Sequence, residues 1–264
     1  MAEILFTVPG VIQGRFIGFL MNIAMAILVV YYVRSRTKIH IRRVPGLDAI
    51  EEAVGRCAEM GRPVMASFGI GGFTYWTLAG LAILSHVARL SARTGTRIIV
   101  PTGGGDQALI VRPVAEEIVK TAYVLEGHED QYNPDDLPFL SGQQYAYTGG
   151  YVGIIQRVRP GAVIMTGSHA SEAMNIAETS NSVGAITITS GSYMGNVAVL
   201  ACASDYILIG EEAPAAGAYL SDDPSQRASI RVQDIFKWIG LAIIIIGVIA
   251  YGFGNQWIID LLAT

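Results

Sequence analysis

Two runs free of charged residues bracket this 264-residue chain and constrain its fold more than anything between them. They are Phe16 to Val33, bounded by Arg15 and Arg34, and Trp238 to Ile259, bounded by Lys237 and Asp260. An α-helix rises about 1.5 Å per residue and the hydrocarbon core of a bilayer is about 30 Å thick, so each run is long enough for one crossing. Trp238 and Trp257 stand roughly 28 Å apart along a helix, which matches two interfacial aromatic belts. Tyr31 and Tyr32 mark one interface of the first run. Only 15% of the chain is charged, against about 25% in ordinary soluble domains, so neither a disordered chain nor an ordinary soluble protein fits.

Basic residues give the spans a direction. Arg34, Arg36, Lys38, Arg42 and Arg43 follow the first run, and only Arg15 precedes it. Arg227, Arg231 and Lys237 precede the second, and no Lys or Arg follows. Both asymmetries put the middle of the chain in the cytoplasm and both termini outside. A cleaved signal peptide needs its positive charge before the apolar run, and here it lies after. Gly14, Gly18, Asn22 and Ala26 recur every four residues, and Gly240, Gly247 and Gly254 every seven. Each span thus carries a stripe for close backbone approach, to the other span, another subunit or a membrane-complex partner.

Between the spans, Arg34 to Lys237 carries a formal net charge of −3, which gives no nucleic-acid footprint. Its length suffices for one domain with a substantial core. Cys57 and Cys202 have neither disulfide-framework nor CxxC spacing and read as two buried thiols in a reducing compartment. Asp48 and Glu51 resemble a capping box, Leu47, Ile50, Val54 and Cys57 share a helical face, and Gly61 with Pro63 stops that helix.

Short apolar runs then alternate with helical segments: Val64 to Phe68, Ile98 to Val100, Tyr123 to Leu125, Ala162 to Thr166, Ala185 to Thr189 and Tyr206 to Ile209. Strands buried on both faces and joined by helices imply a parallel sheet. The expected fold class is α/β, a Rossmann-like three-layer domain of five or six strands flanked by two transmembrane helices. A further membrane helix around Phe73 to His86 is the rival for one segment; the glycine cluster that opens it favours a crossover helix. The expected order is an outer N-terminus (1–15), a span (16–33), a basic linker with an amphipathic helix (34–62), the cytoplasmic domain (63–234), a second span (235–259) and an outer tail (260–264). Glu126, His128, Glu129, Asp130, Asp135 and Asp136 crowd one loop without EF-hand or zinc spacing and read as a solvated acidic loop. A helix is expected around Gln143 to Arg157.

Four strands run into loops of similar composition. They contain Gly69, Gly71, Gly72 and Thr74; Gly103, Gly104 and Asp106; Gly167, Ser168, His169 and Glu172; and Ser190 and Ser192. In a parallel sheet all four emerge at the carboxyl edge, where open α/β folds bind ligands and helix N-termini attract anions. A nucleotide-like ligand is the class such loops would take, although no cofactor is identified. Gly, Ser and Thr are equally what tight turns and N-caps use. Thr74 replaces the third glycine of GxGxxG, which weakens the case for a standard dinucleotide site. Walker A, GxSxG and HExxH patterns are absent. Ser168, His169 and Glu172 contain the elements of an acid-base group, but an N-capping Ser168 beside a polar His is the simpler account.

The stretch Ile41 to Ala53, the loop Thr166 to Glu172 and Gly210-Glu211-Glu212-Ala213 resemble an uncharacterised prokaryotic family of two-span membrane proteins, known only as a domain of unknown function. That resemblance implies a Rossmann-like cytoplasmic domain at the inner membrane and no known activity, so it transfers no catalytic residue. The expectation is a non-enzymatic, membrane-anchored oligomeric scaffold or accessory subunit, with the lipid bilayer and further protein copies or subunits as partners. The alternative is a sensor or enzyme for a nucleotide or phosphorylated metabolite at the glycine-rich edge.

Overall fold

The computed structural model describes residues 13–35, 44–105, 108–191, 194–220 and 224–254. The chain divides into two compact units, Met1–His40 with Asp223–Thr264, and Ile41–Asp222.

In the first unit, helices α1 (Gln13–Ser35) and α9 (Pro224–Gly252) pack on one another. Both are long and apolar enough to cross a membrane, as two-span proteins require. Asn22 satisfies its side-chain amide within α1 by donating to the Gly18 carbonyl at 2.7 Å. Trp257, half of the expected aromatic pair, lies outside the described residues.

The second unit is built on β1 (Val64–Gly69), β2 (Ile98–Ile99), β3 (Thr102–Gly103), β4 (Phe139–Ser141), β5 (Ala162–Ser168), β6 (Ile186–Gly191) and β7 (Tyr206–Ile209). Five strands form an all-parallel sheet in the order β2-β1-β5-β6-β7. Val64 and Met65 pair with Ile98 and Ile99 on one side and with Ala162 and Val163 on the other. The chain therefore winds outward from β1 to β2, returns, and proceeds from β5 to β7 in the opposite direction. This reversal puts a topological switch point between β1 and β5.

Alternation along the central strands sends side chains into two cores. Val64, Ala66, Phe68, Ala162 and Ile164 join one cluster with α2 (Pro45–Met60), α3 (Tyr75–Thr94), α4 (Ala108–Leu125) and α8 (Glu212–Leu220). Met65, Val163 and Met165 join the other with α5 (Gln144–Val158), α6 (Glu172–Ser182) and α7 (Met194–Ala203). Helices thus cover both faces of the sheet. The segment 73–86, the rival membrane span, lies largely in α3, where Leu81, Ile83, Leu84 and Val87 are buried in the first core.

Several boundaries differ from expectation for identifiable reasons. Tyr123 to Leu125 is no strand but the end of α4, because the helical pattern that begins upstream carries through it. The additional strand is β4, parallel to β3, and Thr102 donates its N–H to the Pro138 carbonyl while Val100 donates to that of Asp136. Helix α2 begins at Pro45, with Val44 in the N-cap position, rather than at Asp48; proline suits the first turn, where its missing N–H costs no helical bond. Gly61 ends that helix in the left-handed region, as expected. The acidic loop is not wholly solvated. Asp136 is buried against Arg97, and Glu126 accepts from Arg93 at 2.7 Å. Cys57 is buried but Cys202 is exposed, so only one thiol is a core residue.

Candidate functional site at the carboxyl edge

The loops after β1 and β5 meet at the switch point, where each needs its glycines to approach the other. A Cβ added at Gly69 would lie 2.0 Å from the Ser168 carbonyl oxygen, and one at Gly167 would lie 2.3 Å from that of Phe68. Both glycines hold positive φ, at 88° and 112°, which side chains oppose. At Gly71 an added Cβ would strike Ser168 Oγ at 2.0 Å. The backbone N–H groups of Ile70 and Gly71 both donate to the Ser168 carbonyl, at 3.1 and 3.2 Å. Those two donors would otherwise be available to an anion.

The following helix start is likewise occupied by the chain itself. Thr74 is the N-cap of α3, its side-chain oxygen accepting from the Thr77 N–H, and the Thr77 hydroxyl donates to the Gly72 carbonyl. Around Gly103 and Gly104 the same closure recurs. A Cβ at Gly103 would meet the Tyr147 ring at 2.3 Å, and one at Gly104 the Ile70 carbonyl oxygen at 3.1 Å. Ser190 Oγ accepts from the Gly167 N–H at 3.0 Å, which ties the loop after β5 to the end of β6. The sequence-predicted residues Gly69, Gly71, Gly167, Ser168 and Ser190 are therefore brought together, as are Gly103 and Gly104 with the loop after β1. Asp106 and Ser192 lie outside the described residues.

Glu172 and His169 form the buried polar centre of the edge. Their side chains are 0% and 1% exposed, with His169 Nδ1 3.7 Å from Glu172 Oε1. Glu172 also accepts from the Ala170 N–H at 2.9 Å and from the Gln144 side-chain amide. Burial alone raises the Glu172 carboxyl, but His169, the Ala170 N–H and Gln144 outweigh it and hold it down, from 4.5 to about 2. A carboxylate in the first turn of α6 favourably meets the positive end of the helix dipole. It also supplies the negative charge that a bound phosphate would bring.

Ser168, His169 and Glu172 do not form a relay among the described residues, where neither His169 ring nitrogen has a hydrogen-bond partner. Nor is Ser168 the N-cap of α6. That position belongs to Ser171, whose side chain makes no capping bond, and the Glu172 carboxylate takes the Ala170 N–H instead. The loop is held from α7 by Asn196, whose amide donates to the carbonyls of His169 and Ala170 at 2.9 and 3.3 Å.

Four residues that sequence reasoning missed complete the cluster. Ser67 Oγ accepts from the Gly69 N–H at 3.2 Å and lies 3.1 Å from the Tyr147 hydroxyl, which donates to the Pro101 carbonyl at 3.3 Å. Burial pushes the Tyr147 phenol up, and the Glu172 charge adds to that shift, so it acts here as a neutral donor. Gln144 and Asn196 are the other two. Gln144 and Tyr147 are one turn apart on α5, a spacing common to many helix positions, so no sequence signal marked them. Among the described residues, no group of three or more His, Cys, Asp or Glu could hold a metal ion.

No curated protein and no solved structure matches the chain. A family model, described as Domain of unknown function (DUF6754), matches residues 10–262. That match takes in both apolar helices and the whole parallel-sheet unit between them, and the chain belongs to this family of unknown function.

Proposed function

We propose that the protein is a membrane-anchored scaffold or accessory subunit that assembles with further copies or subunits and performs no catalysis. Its α/β unit is Rossmann-like in this reading. With β2 and β3 taken as one interrupted strand and β4 as its outer neighbour, the strands follow the 3-2-1-4-5-6 order of doubly wound folds. The basic residues flanking the two apolar runs support a cytoplasmic α/β unit with both termini outside, at a prokaryotic inner membrane.

The observation that carries the reading is the self-closure of the carboxyl edge. The Ser168 carbonyl takes the N–H groups of Ile70 and Gly71, Thr74 caps α3, and Glu172 fills the start of α6. Among the described residues, these groups, which would otherwise face a phosphate, are engaged by the chain itself. A sensor or enzyme for a nucleotide-like ligand is the competing reading, favoured by the two buried ring nitrogens of His169, which have no partner among the described residues.

Purification of the full chain in mild detergent, with mass measurement across a dilution series, tests the proposal. More than one copy per particle, or a co-purifying membrane protein, is expected. A monomer at every concentration with nothing bound overturns it. Nucleotides and phosphorylated metabolites are expected to leave the melting temperature unchanged, and a saturable upward shift would favour the competing reading.

A further inference from the structure

Helix α4 presents three faces, and one of them has no partner among the described residues. Val111, Ala115, Val119 and Ala122 are buried in the core, and Arg112, Glu116 and Lys120 form a charged face on which Arg112 pairs with Glu116. Between these faces, Ile110, Val114, Ile118 and Leu125 recur at helical spacing, with Ile110 and Leu125 each 60% exposed. With α3, the stripe residues Val114, Ile118 and Leu125 line a groove of about 420 Å³ that also contains Arg89 and Glu117. Arg89 makes no ion pair among the described residues, and Glu117 accepts only from the Thr121 hydroxyl, at 3.3 Å.

We infer that this groove is the seat of a second copy of the same chain, docked about a two-fold axis. The inference rests on the assembly reading above and names its partner. A two-fold interface is self-complementary, so a patch with one unpaired base and one unpaired acid beside an apolar stripe satisfies both charges at once: Arg89 of each copy meets Glu117 of the other. The stripes then cover each other, which removes exposed apolar surface from water. An anionic lipid surface fits less well, because Glu117 lies within the apolar face and would be desolvated without a cation beside it.

The test uses the full chain with Cys202→Ser, which leaves buried Cys57 as the only native thiol, and with Thr121→Cys beside the centre of the face. A bifunctional maleimide is expected to link two copies. Arg89→Glu or Glu117→Arg alone places like charges opposite each other and should cut the linked fraction roughly tenfold. Arg89→Glu with Glu117→Arg exchanges the signs and should restore most of it. All these side chains are exposed, and unchanged melting of each variant checks folding. No linkage in the parent, single reversals without effect, or a double reversal that fails to rescue overturns the inference. A multimeric mass without linkage leaves the assembly reading standing, whereas a monomeric mass removes both.

Discussion

Glu172 has no exposed side-chain surface, yet its carboxyl is held well below the ordinary range. A buried carboxylate is tolerated only where the surroundings repay its desolvation. Here His169 stands at 3.7 Å, and the Ala170 N–H and Gln144 amide donate directly. Because the folded value, about 2, is below the ordinary 4.5, the carboxylate contributes stability above pH 4.5 that disappears as pH falls toward 2. The shift corresponds to about 3 kcal/mol. Glu172→Gln preserves the shape and removes the titration. The stability advantage of wild type over this variant is therefore expected to shrink by about that amount between pH 4.5 and pH 2 in urea unfolding. A difference that stays constant between pH 4.5 and pH 2 would show that the folded carboxyl is not held below its ordinary value.

At the scale of elements, the loops after β1 and β5 act as one interlocked unit, and two glycines of the first loop, Gly69 and Gly71, test this differently. Alanine at Gly69 meets backbone, the Ser168 carbonyl oxygen at 2.0 Å, and must also hold φ near 88°. Alanine at Gly71 meets chiefly the Ser168 side chain, Oγ at 2.0 Å and Cβ at 2.8 Å. Both substitutions are expected to destabilise by about 2 kcal/mol or more. Adding Ser168→Gly should recover much of the loss for Gly71→Ala and little for Gly69→Ala, because neighbouring sites couple through the contact they share. Thermal melting of the four variants measures this. If Gly71→Ala leaves stability intact, the glycine serves something other than loop packing. The convergence of these loops was legible from the strand-then-glycine pattern, since a parallel sheet gathers such turns at one edge. Their use in packing was not, because glycine composition is the same whether a ligand or a second loop approaches. The long apolar runs that became β1, β5 and β6 were equally legible. By contrast, β4 has three partly exposed residues after a proline-containing loop, and the Ser67–Tyr147 contact joins positions 80 apart. Neither leaves a local pattern in the chain.

For the whole molecule, the proposed topology ties both ends of the α/β unit to one membrane and turns the unit toward the cytoplasm. The native cysteines provide a direct probe of that arrangement. Cys202 is exposed on α7, whereas Cys57 is buried and its thiol is pushed up to about 11 by burial, an effect Arg62 only partly offsets. Since the thiolate is the reactive form, a maleimide should modify Cys202 and spare Cys57 until the protein unfolds. In sealed vesicles of known sidedness, a membrane-impermeant maleimide is expected to reach Cys202 only from the cytoplasmic side. In a Cys202→Ser chain, a cysteine appended after Thr264 should react only from the opposite side. The basic residues that follow the first apolar run and those in the N-terminal half of α9 argue for this orientation together, and an even number of crossings requires both termini to share a side. Cys202 labelled from outside would reverse the orientation and with it the cytoplasmic setting of the carboxyl edge. The appended cysteine labelled from the same side as Cys202 would mean that α9 does not cross, leaving the α/β unit anchored through α1 alone.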